Sequence, residues 1–508
     1  MTAEATAREN GWQQLHPRTI PVTVLTVAGI MAGIAVPFVL GFAKSAGLGV
    51  MLLIALGAVV VVSAAAALVD LMRWRHTTYR VTDERVELRH AWVLHRLRSV
   101  PRDRVRTVDL TANPVQRAFG VTTVKIGTGQ QSSETSHLTL DPVGKAEAEQ
   151  LRGELLRRAR TTTTTEPETP SGKEISSLDW RWIRYAPVSV TTPLLGAAAF
   201  GGVMQVSEWF NLQGAVFRTV RDLFGGLSVL WLIAVLAAAG IVVGVIGSLG
   251  LFVEMWYRYS LRREDGNLVM SRGMLTTRSL TLERRRLRGV EVIEPLGARV
   301  LRAARVDVIA TGMRQRSENE KSDPKTLLPP APFETARRVA ADVLGSEAAT
   351  ATAVTGHPRA ALWRRVRWGI SCVLSLVVVL AVLGFLLTDV LSHVAWISAV
   401  VLTPVAVLLA VEAYRNLGHG LAEKHLVTRY GVGARRTAAL LRTGVIGWTI
   451  SESPFQRRSG LVTVKATTAA NKGAYLVYDV GVDDGLRFAD EAVPGLLAPF
   501  LERRGHRT

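Results

Sequence analysis

The chain has 508 residues, 48% of them hydrophobic, with a formal charge of +19 and a mean hydropathy of +0.22. That is too apolar for an ordinary soluble protein and too charged for one that is membrane throughout, so spanning segments must alternate with polar domains. The single cysteine, Cys372, lies inside an apolar run, which excludes a disulfide framework and a thiol metal cluster.

Two apolar runs, near residues 20–42 and 48–71, open the chain and meet the length a helix needs to cross a bilayer. The leader Met1 to Arg18 is net neutral and Ala43-Lys44-Ser45-Ala46 is a poor cleavage site. The first run therefore reads as a span and not as a signal peptide. Residues 73–160 follow with short alternating runs, Thr77 to Thr82, Arg85 to Arg89, Trp92 to Val100 and Val105 to Leu110, then Val121 to Ile126 and His137 to Leu140. Turn residues separate them, the pattern of consecutive antiparallel strands. Lys145 to Arg160, with Ala148, Leu151, Leu155 and Leu156 at helical spacing, predicts an amphipathic helix.

The plan then recurs. A polar linker at 161–185 leads to spans near 186–206 and 227–253, and a second β unit at 254–345 ends in a helix from Pro332 to Leu344. A linker at 346–367 leads to spans near 369–388 and 393–411. The third unit, 412–508, is expected to end in a helix from Asp490 to Arg503. Short loops join the spans of each pair, so each pair must be an antiparallel hairpin. The domains expected are thus 1–72, 73–160, 254–345 and 412–508, with hairpins at 186–253 and 368–411.

Charge gives the orientation. Residues 73–184 carry 20 Lys+Arg against 14 Asp+Glu, residues 254–367 carry 22 against 13, and residues 412–508 carry 14 against 9. The hairpin loops hold only Lys44, Arg218 and Arg221 as basic residues. Basic residues close to span ends stay on the cytoplasmic side, so both termini and all three polar domains are expected in the cytoplasm. Trp74, Trp180, Trp182, Trp256, Tyr257, Trp363 and Trp368 form an interfacial aromatic belt.

One segment is repeated. Asn113-Pro114-Val115-Gln116-Arg117-Ala118-Phe119-Gly120 returns as Ser453-Pro454-Phe455-Gln456-Arg457-Arg458-Ser459-Gly460, and a decayed copy runs from Glu294-Pro295-Leu296 to Val308. In that copy Gly297-Ala298 stands for Gln116-Arg117 when the prolines are aligned. With Tyr79-Arg80-Val81-Thr82-Asp83 and Arg98-Ser99-Val100-Pro101, this corner resembles the bacterial membrane-flanked pleckstrin-homology-like domain. Three such units alternating with hairpins resemble the triple-domain members of that family, over almost the full length. The resemblance implies a fold class of membrane α plus β: six transmembrane helices in three hairpins and three cytoplasmic pleckstrin-homology-like β-barrels, each capped by a C-terminal helix. It implies no activity, because a fold is not a function.

Two sets of residues are candidate binding sites for a lipid or a protein. In the first, Gln116, Arg117, Gln456 and Arg457 form either a structural corner or a ligand for an acidic headgroup; proline and glycine favour the corner. In the second, Arg96, Arg98, Arg102 and Arg104, extended by Arg106 and echoed by Arg284-Arg285-Arg286, would hold a domain against anionic lipid headgroups by nonspecific electrostatics, or would be solvated strand faces. No DNA-reading motif accompanies them, so nucleic acid is not an expected partner. No P-loop, HExxH, GxSxG or Cys/His ligand pair occurs, and no cofactor or metal is expected. Ionisable residues such as Asp70, Glu254 and Glu412 sit at span ends and not at mid-membrane, which argues against secondary transport. Gly29-x-x-x-Gly33 and Gly240-x-x-x-Gly244 permit close helix packing within the chain. The expectation is a non-enzymatic cell-membrane scaffold, partnered by itself or by a smaller membrane-flanked relative. A lipid-handling or export component, or an anionic-lipid sensor, is the alternative.

Overall fold

The computed structural model describes residues 12–91, 95–102, 105, 107–127, 137–157, 173–189, 191–209, 214, 218, 222, 228–264, 266–311, 325–470, 473–497 and 499. Trp92 to Leu94, Arg104, Arg106, the 161–167 linker, most of the 206–226 loop and residues 500–503 lie outside them. Two compact units divide the chain between Arg284 and Arg285, inside the expected middle domain.

The first unit begins with strand β1 (Gln13–Gln14) and the hairpin α1 (Thr19–Ala46) and α2 (Leu48–Arg75). Only Gly47 separates these helices, and its φ of 80° is the left-handed value a glycine reverses the chain with. Strands β2 (Thr77–Val81), β3 (Arg85–Ala91), β4 (His95–Pro101) and β5 (Thr107–Ala112) precede a one-turn helix α3 (Pro114–Ala118). Then come β6 (Val121–Gly127), β7 (His137–Gly144) and α4 (Lys145–Arg157). One core joins them: Tyr79, Val86, Leu88, Val108, Val124, Ile126, Leu138 and Leu140 from the strands with Ala148, Leu151 and Leu155 from α4. Period-two alternation places these side chains on one face, and the helical spacing in α4 supplies the lid. After β8 (Lys173–Ser177) come α5 (Thr191–Trp209), α6 (Val229–Trp256), β9 (Ser260–Glu264), β10 (Asn267–Arg272) and β11 (Thr277–Glu283).

The second unit contains β12 (Leu287–Pro295), α7 (Leu296–Val300), β13 (Ala303–Ala310), β14 (Thr326–Pro332), α8 (Phe333–Leu344) and α9 (Ala348–Ala351). The hairpin α10 (Arg359–Leu387) and α11 (Asp389–Arg415) turns on Thr388 alone, whose side chain accepts the Val390 N–H at 3.1 Å. Strands β15 (Gly418–Ala422), β16 (His425–Tyr430), β17 (Ala434–Leu441) and β18 (Val445–Ser451) follow, then α12 (Pro454–Arg457), β19 (Leu461–Thr468), β20 (Ala474–Gly481) and α13 (Val482–Ala492). The last helix therefore begins eight residues before the expected Asp490. Asp483 and Asp484 suit its first turn, and Pro494 and Gly495 (φ 84°) end the helical backbone that the Asp490-to-Arg503 reading required.

Among the described residues five helices are long and apolar enough to cross a membrane. They become six if the tight turn Trp180–Val188 and Thr191–Glu208, bent by 68° at their break, make one span. Only 6–11% of each of the five is buried, so their apolar faces are left for lipid. In the middle hairpin α5 and α6 touch backbone to backbone: a Cβ added to Gly196 would overlap the Gly240 carbonyl, and one added to Gly244 the Thr192 carbonyl. The Gly240–Gly244 pair thus serves intrachain packing, whereas Gly29 and Gly33 have nothing within 4 Å of an added Cβ.

The strand order crosses the repeats. The sheets run β1-β2-β3-β4, β7-β6-β5-β11-β10-β9-β8, β14-β13-β12-β17-β16-β15 and β18-β19-β20. In the first unit β5 of the first repeat pairs antiparallel with β11 of the middle repeat. In the second unit β12 of the middle repeat pairs with β17 of the last. Each joint adds the third strand of one repeat to the fourth-strand edge of the repeat before it, counting from β2, β9 and β15.

Candidate functional site

The proline corner is a hydrogen-bonded clamp. Pro114 starts α3, where its missing N–H costs nothing, and Asn113 caps the turn. Gln116 is buried: its Oε1 accepts the Asn113 N–H at 2.9 Å, and its Nε2 donates to Thr123 Oγ1 and Asp141 Oδ1, both at 3.1 Å. The last repeat is built alike. Gln456 accepts from Ser453 N at 3.0 Å and donates to Thr463 Oγ1 at 2.9 Å and Asp479 Oδ1 at 2.8 Å. Each aspartate sits where β7 or β20 shifts register opposite the threonine. The glutamine thereby ties the corner to two strands, and both donors of its amide are committed within the fold.

Strand register corrects the alignment of the middle copy. Thr122↔Val143 and Ala304↔Ala331 are the last pairs before the shift in their repeats, which makes Ala304 the counterpart of Thr122. Counting back, Arg302 (φ 53°) matches Gly120 (φ 68°) and Gly460 (φ 63°), three left-handed residues at one position. Gln116 therefore corresponds to Ala298 and Arg117 to Arg299, one place from the proline-based alignment. The arginine survives in the middle copy and the glutamine does not. Its partners are gone as well: Pro295 stands at the cap, Arg305 at the threonine, and Pro329-Pro330 face the shift that holds the aspartate elsewhere.

The arginine has a separate task. Arg117 Nη1 donates to the Met274 carbonyl, in the turn between β10 and β11 of the next repeat. Arg299 donates to Glu412 Oε1 at 2.9 Å and Asn416 Oδ1 at 3.1 Å, at the end of α11 in the next repeat. In the last repeat Arg457 is 73% exposed and pairs with its neighbour Glu452 at 2.7 Å.

Two glutamates complete the joints, and sequence reasoning had placed them only at span ends. Glu254, at the end of α6, accepts the N–H groups of Leu275 at 3.0 Å and Thr276 at 3.2 Å. Glu412 accepts the Gly433 N–H at 3.1 Å. Each stands nineteen residues before a strained glycine, Gly273 (φ 113°) or Gly431 (φ 127°), and that shared spacing is the signal that could have found them. Asp479, fully buried, also accepts from Arg364 at 2.5 Å and Arg365 at 3.0 Å, fixing the start of α10 to the last sheet.

The strand arginines divide. Arg102, 7% exposed in its side chain, donates to the Thr82 carbonyl at 2.9 Å and to Glu154 of α4 at 3.2 Å. Arg442 likewise holds the Glu491 and Ala492 carbonyls at the end of α13. Both bolt a C-terminal helix to its sheet, so Arg102 is not presented to a headgroup. Arg98 is half-buried on β4 opposite Leu88. Arg104 and the side chain of Arg96 lie outside the described residues. Tyr79 donates to Glu147 of α4, and burial, reinforced by that carboxylate, pushes its phenol up.

In the second unit a cavity of about 230 Å³ lies over the β12–β17 joint, lined by Glu294, Arg337, Arg429 and Arg435. Glu294 takes Arg435 in a two-point ion pair at 2.8 and 2.5 Å, so much of its charge is already matched. Nearby, His357 Nε2 lies 3.1 Å from His419 Nδ1, both rings buried. Burial, and then the neighbouring ring, lowers His357 to about 4.

Comparison with known proteins agrees with this anatomy. The family model described as Bacterial PH domain matches residues 22–159, 215–345 and 374–492, together well over half of the chain. The chain is 21% identical over 497 residues to the UPF0699 transmembrane protein YdbT of Bacillus subtilis (strain 168), covering 93% of this chain and 96% of that one. No solved structure matches it.

Proposed function

The chain belongs to the bacterial PH domain family, and from that premise we propose that it is a non-enzymatic multi-pass membrane scaffold. In this reading three pleckstrin-homology-like barrels, each closed by its C-terminal helix, hang on the cytoplasmic side from hairpins whose flanks are rich in arginine. The observation that carries it is the pair of inter-repeat joints. The side chains that looked most like a site, Gln116, Gln456, Arg117 and Arg102, are spent on holding corners, lids and successive repeats together. Such a protein acts by presenting surfaces at fixed spacing. Basic residues on the domain surfaces add nonspecific attraction to anionic lipid headgroups, about 1 kcal/mol for each that reaches them.

Purification of the tagged full-length chain from its own membranes in mild detergent tests the proposal. The expected result is co-purification of a second protein or of further copies in fixed proportion. A chain recovered alone and monomeric at every detergent strength removes it.

A further inference from the structure

The two internal joints share one register. In the first, Thr107 faces Leu282, Val108 faces Thr281 and Leu110 faces Ser279. In the second, Gly289 faces Leu440, Val290 faces Ala439 and Val292 faces Thr437. Repeat equivalence maps Thr107 onto Gly289 and then Gly447, and Leu440 onto Leu282 and then Val100. Among the described strands the mapping leaves two half-joints, one in the first repeat and one in the last. β4 supplies the third strand of the first repeat and β18 the fourth strand of the last, and among the described strands both are sheet edges. We propose that β18 of one copy pairs antiparallel with β4 of a second copy in this same register, extending the series between molecules. The proposal rests on the reading of the joints as what holds repeats together.

Projected residue by residue, Gly447 falls opposite Val100, Trp448 opposite Ser99, Thr449 opposite Arg98, Ile450 opposite Leu97 and Ser451 opposite Arg96. Leu97 is 62% exposed and Ile450 39% exposed, so the register brings together two apolar side chains that each strand otherwise shows to water. Glu452, the counterpart of the joint residue Glu294, falls opposite position 95 in this register. Pro101 would break a ladder, but it falls opposite Ile446, one place beyond where both internal joints stop pairing. An open edge with a long apolar residue is otherwise a liability, and pairing with a complementary edge removes it. Because the two edges differ, the contact is head-to-tail and generates a ring or an open row, not a two-fold dimer.

Directly opposed strand positions lie within disulfide reach, so cysteine pairs report the register. Two differently tagged full-length chains, both carrying Cys372→Ser, are co-expressed in the membrane, one with Leu97→Cys and the other with Ile450→Cys. A third chain carries Val292→Cys with Thr437→Cys, the same pair of positions in the internal joint. The expected result after mild oxidation is a reducible dimer bearing both tags, and loss of free thiol in the third chain. An intact internal disulfide without the two-tag dimer overturns the inference and leaves the joints standing. Failure of the internal disulfide as well removes the reading of the joints. A Leu97→Cys chain that links equally to itself, or instead to a smaller protein, overturns the choice of a second copy in this register.

Discussion

Gln456 lies 2.8 Å from Asp479, and Thr463 shares the same side-chain amide at 2.9 Å. Asp479 is fully buried, and its second oxygen faces Arg365 at 3.0 Å. One glutamine thus connects a one-turn helix, the β19–β20 pair and the base of the last hairpin. Gln456→Ala deletes an acceptor for the cap and a donor to a buried carboxylate, a loss of about 2 kcal/mol. Hydrogen exchange over residues 461–481 of the full chain in micelles should quicken roughly thirtyfold, by the same energy. Exchange unchanged in that segment would show the clamp to be idle. Ala298→Gln should do nothing for the middle copy, which has Pro330 and Arg305 where the clamp needs an aspartate and a threonine.

Arg299 and Arg457 occupy one repeat position in different surroundings. Arg299 is 24% exposed and meets Glu412, 16% exposed, with Asn416 beside it. Arg457 is 73% exposed on a partner 37% exposed. Arg299→Ala leaves a half-buried carboxylate short of its charge partner and should cost about 1–3 kcal/mol. Arg457→Ala should stay within about 0.5 kcal/mol. Thermal unfolding of the two variants in the same detergent gives the ranking, and equal shifts would contradict it.

The strands and spans were legible because their signal is local. Alternation at Leu268 and Met270, or the apolar runs around α1 and α2, follows from each residue's own position. The partner of a strand edge is not local. Nothing in Thr107 to Ala112 says that its neighbour lies at Thr277 to Glu283 and not inside its own repeat. Alignment by prolines put Arg117 opposite Ala298, whereas the register shift at Val306 puts it opposite Arg299. Arg102 looked like a headgroup ligand because its neighbours are basic. Its burial beneath α4 depends on a helix fifty residues further on, and no pattern in the strand records that.

Gly196 and Gly244 should be the least replaceable glycines of the spans. An added Cβ on either meets a carbonyl of the facing helix, so Gly196→Val or Gly244→Val must push α5 and α6 apart and forfeit their contact. Gly29→Val and Gly33→Val meet nothing within 4 Å and should be neutral. Midpoints of thermal aggregation for the four variants, measured in one detergent, should fall into two groups along this line. A drop for Gly29→Val as large as that for Gly196→Val would contradict the packing.

Acid should weaken the second unit through His357. Its ring is buried against His419, and desolvation followed by repulsion from that ring lowers it from 6.5 to about 4. The unfolded chain therefore takes up a proton at this site before the folded one does. Above pH 6.5 neither state is charged there and the stability is complete. As pH falls through 6.5 the unfolded state is favoured progressively, until near pH 4 the folded ring also protonates and the loss levels off at about 3 kcal/mol. The chain should thus lose thermal stability between pH 6.5 and 4 by an amount that His357→Phe reduces, with His419, also lowered by burial, contributing in the same direction. The aromatic replacement keeps the edge-on contact with His419, 5.2 Å between ring centres, while removing the titration. A variant whose pH dependence matched that of the parent would assign the acid sensitivity to other groups. His425, also buried and lowered first by desolvation and then by Lys424, would be next in line, and His425→Phe the corresponding control.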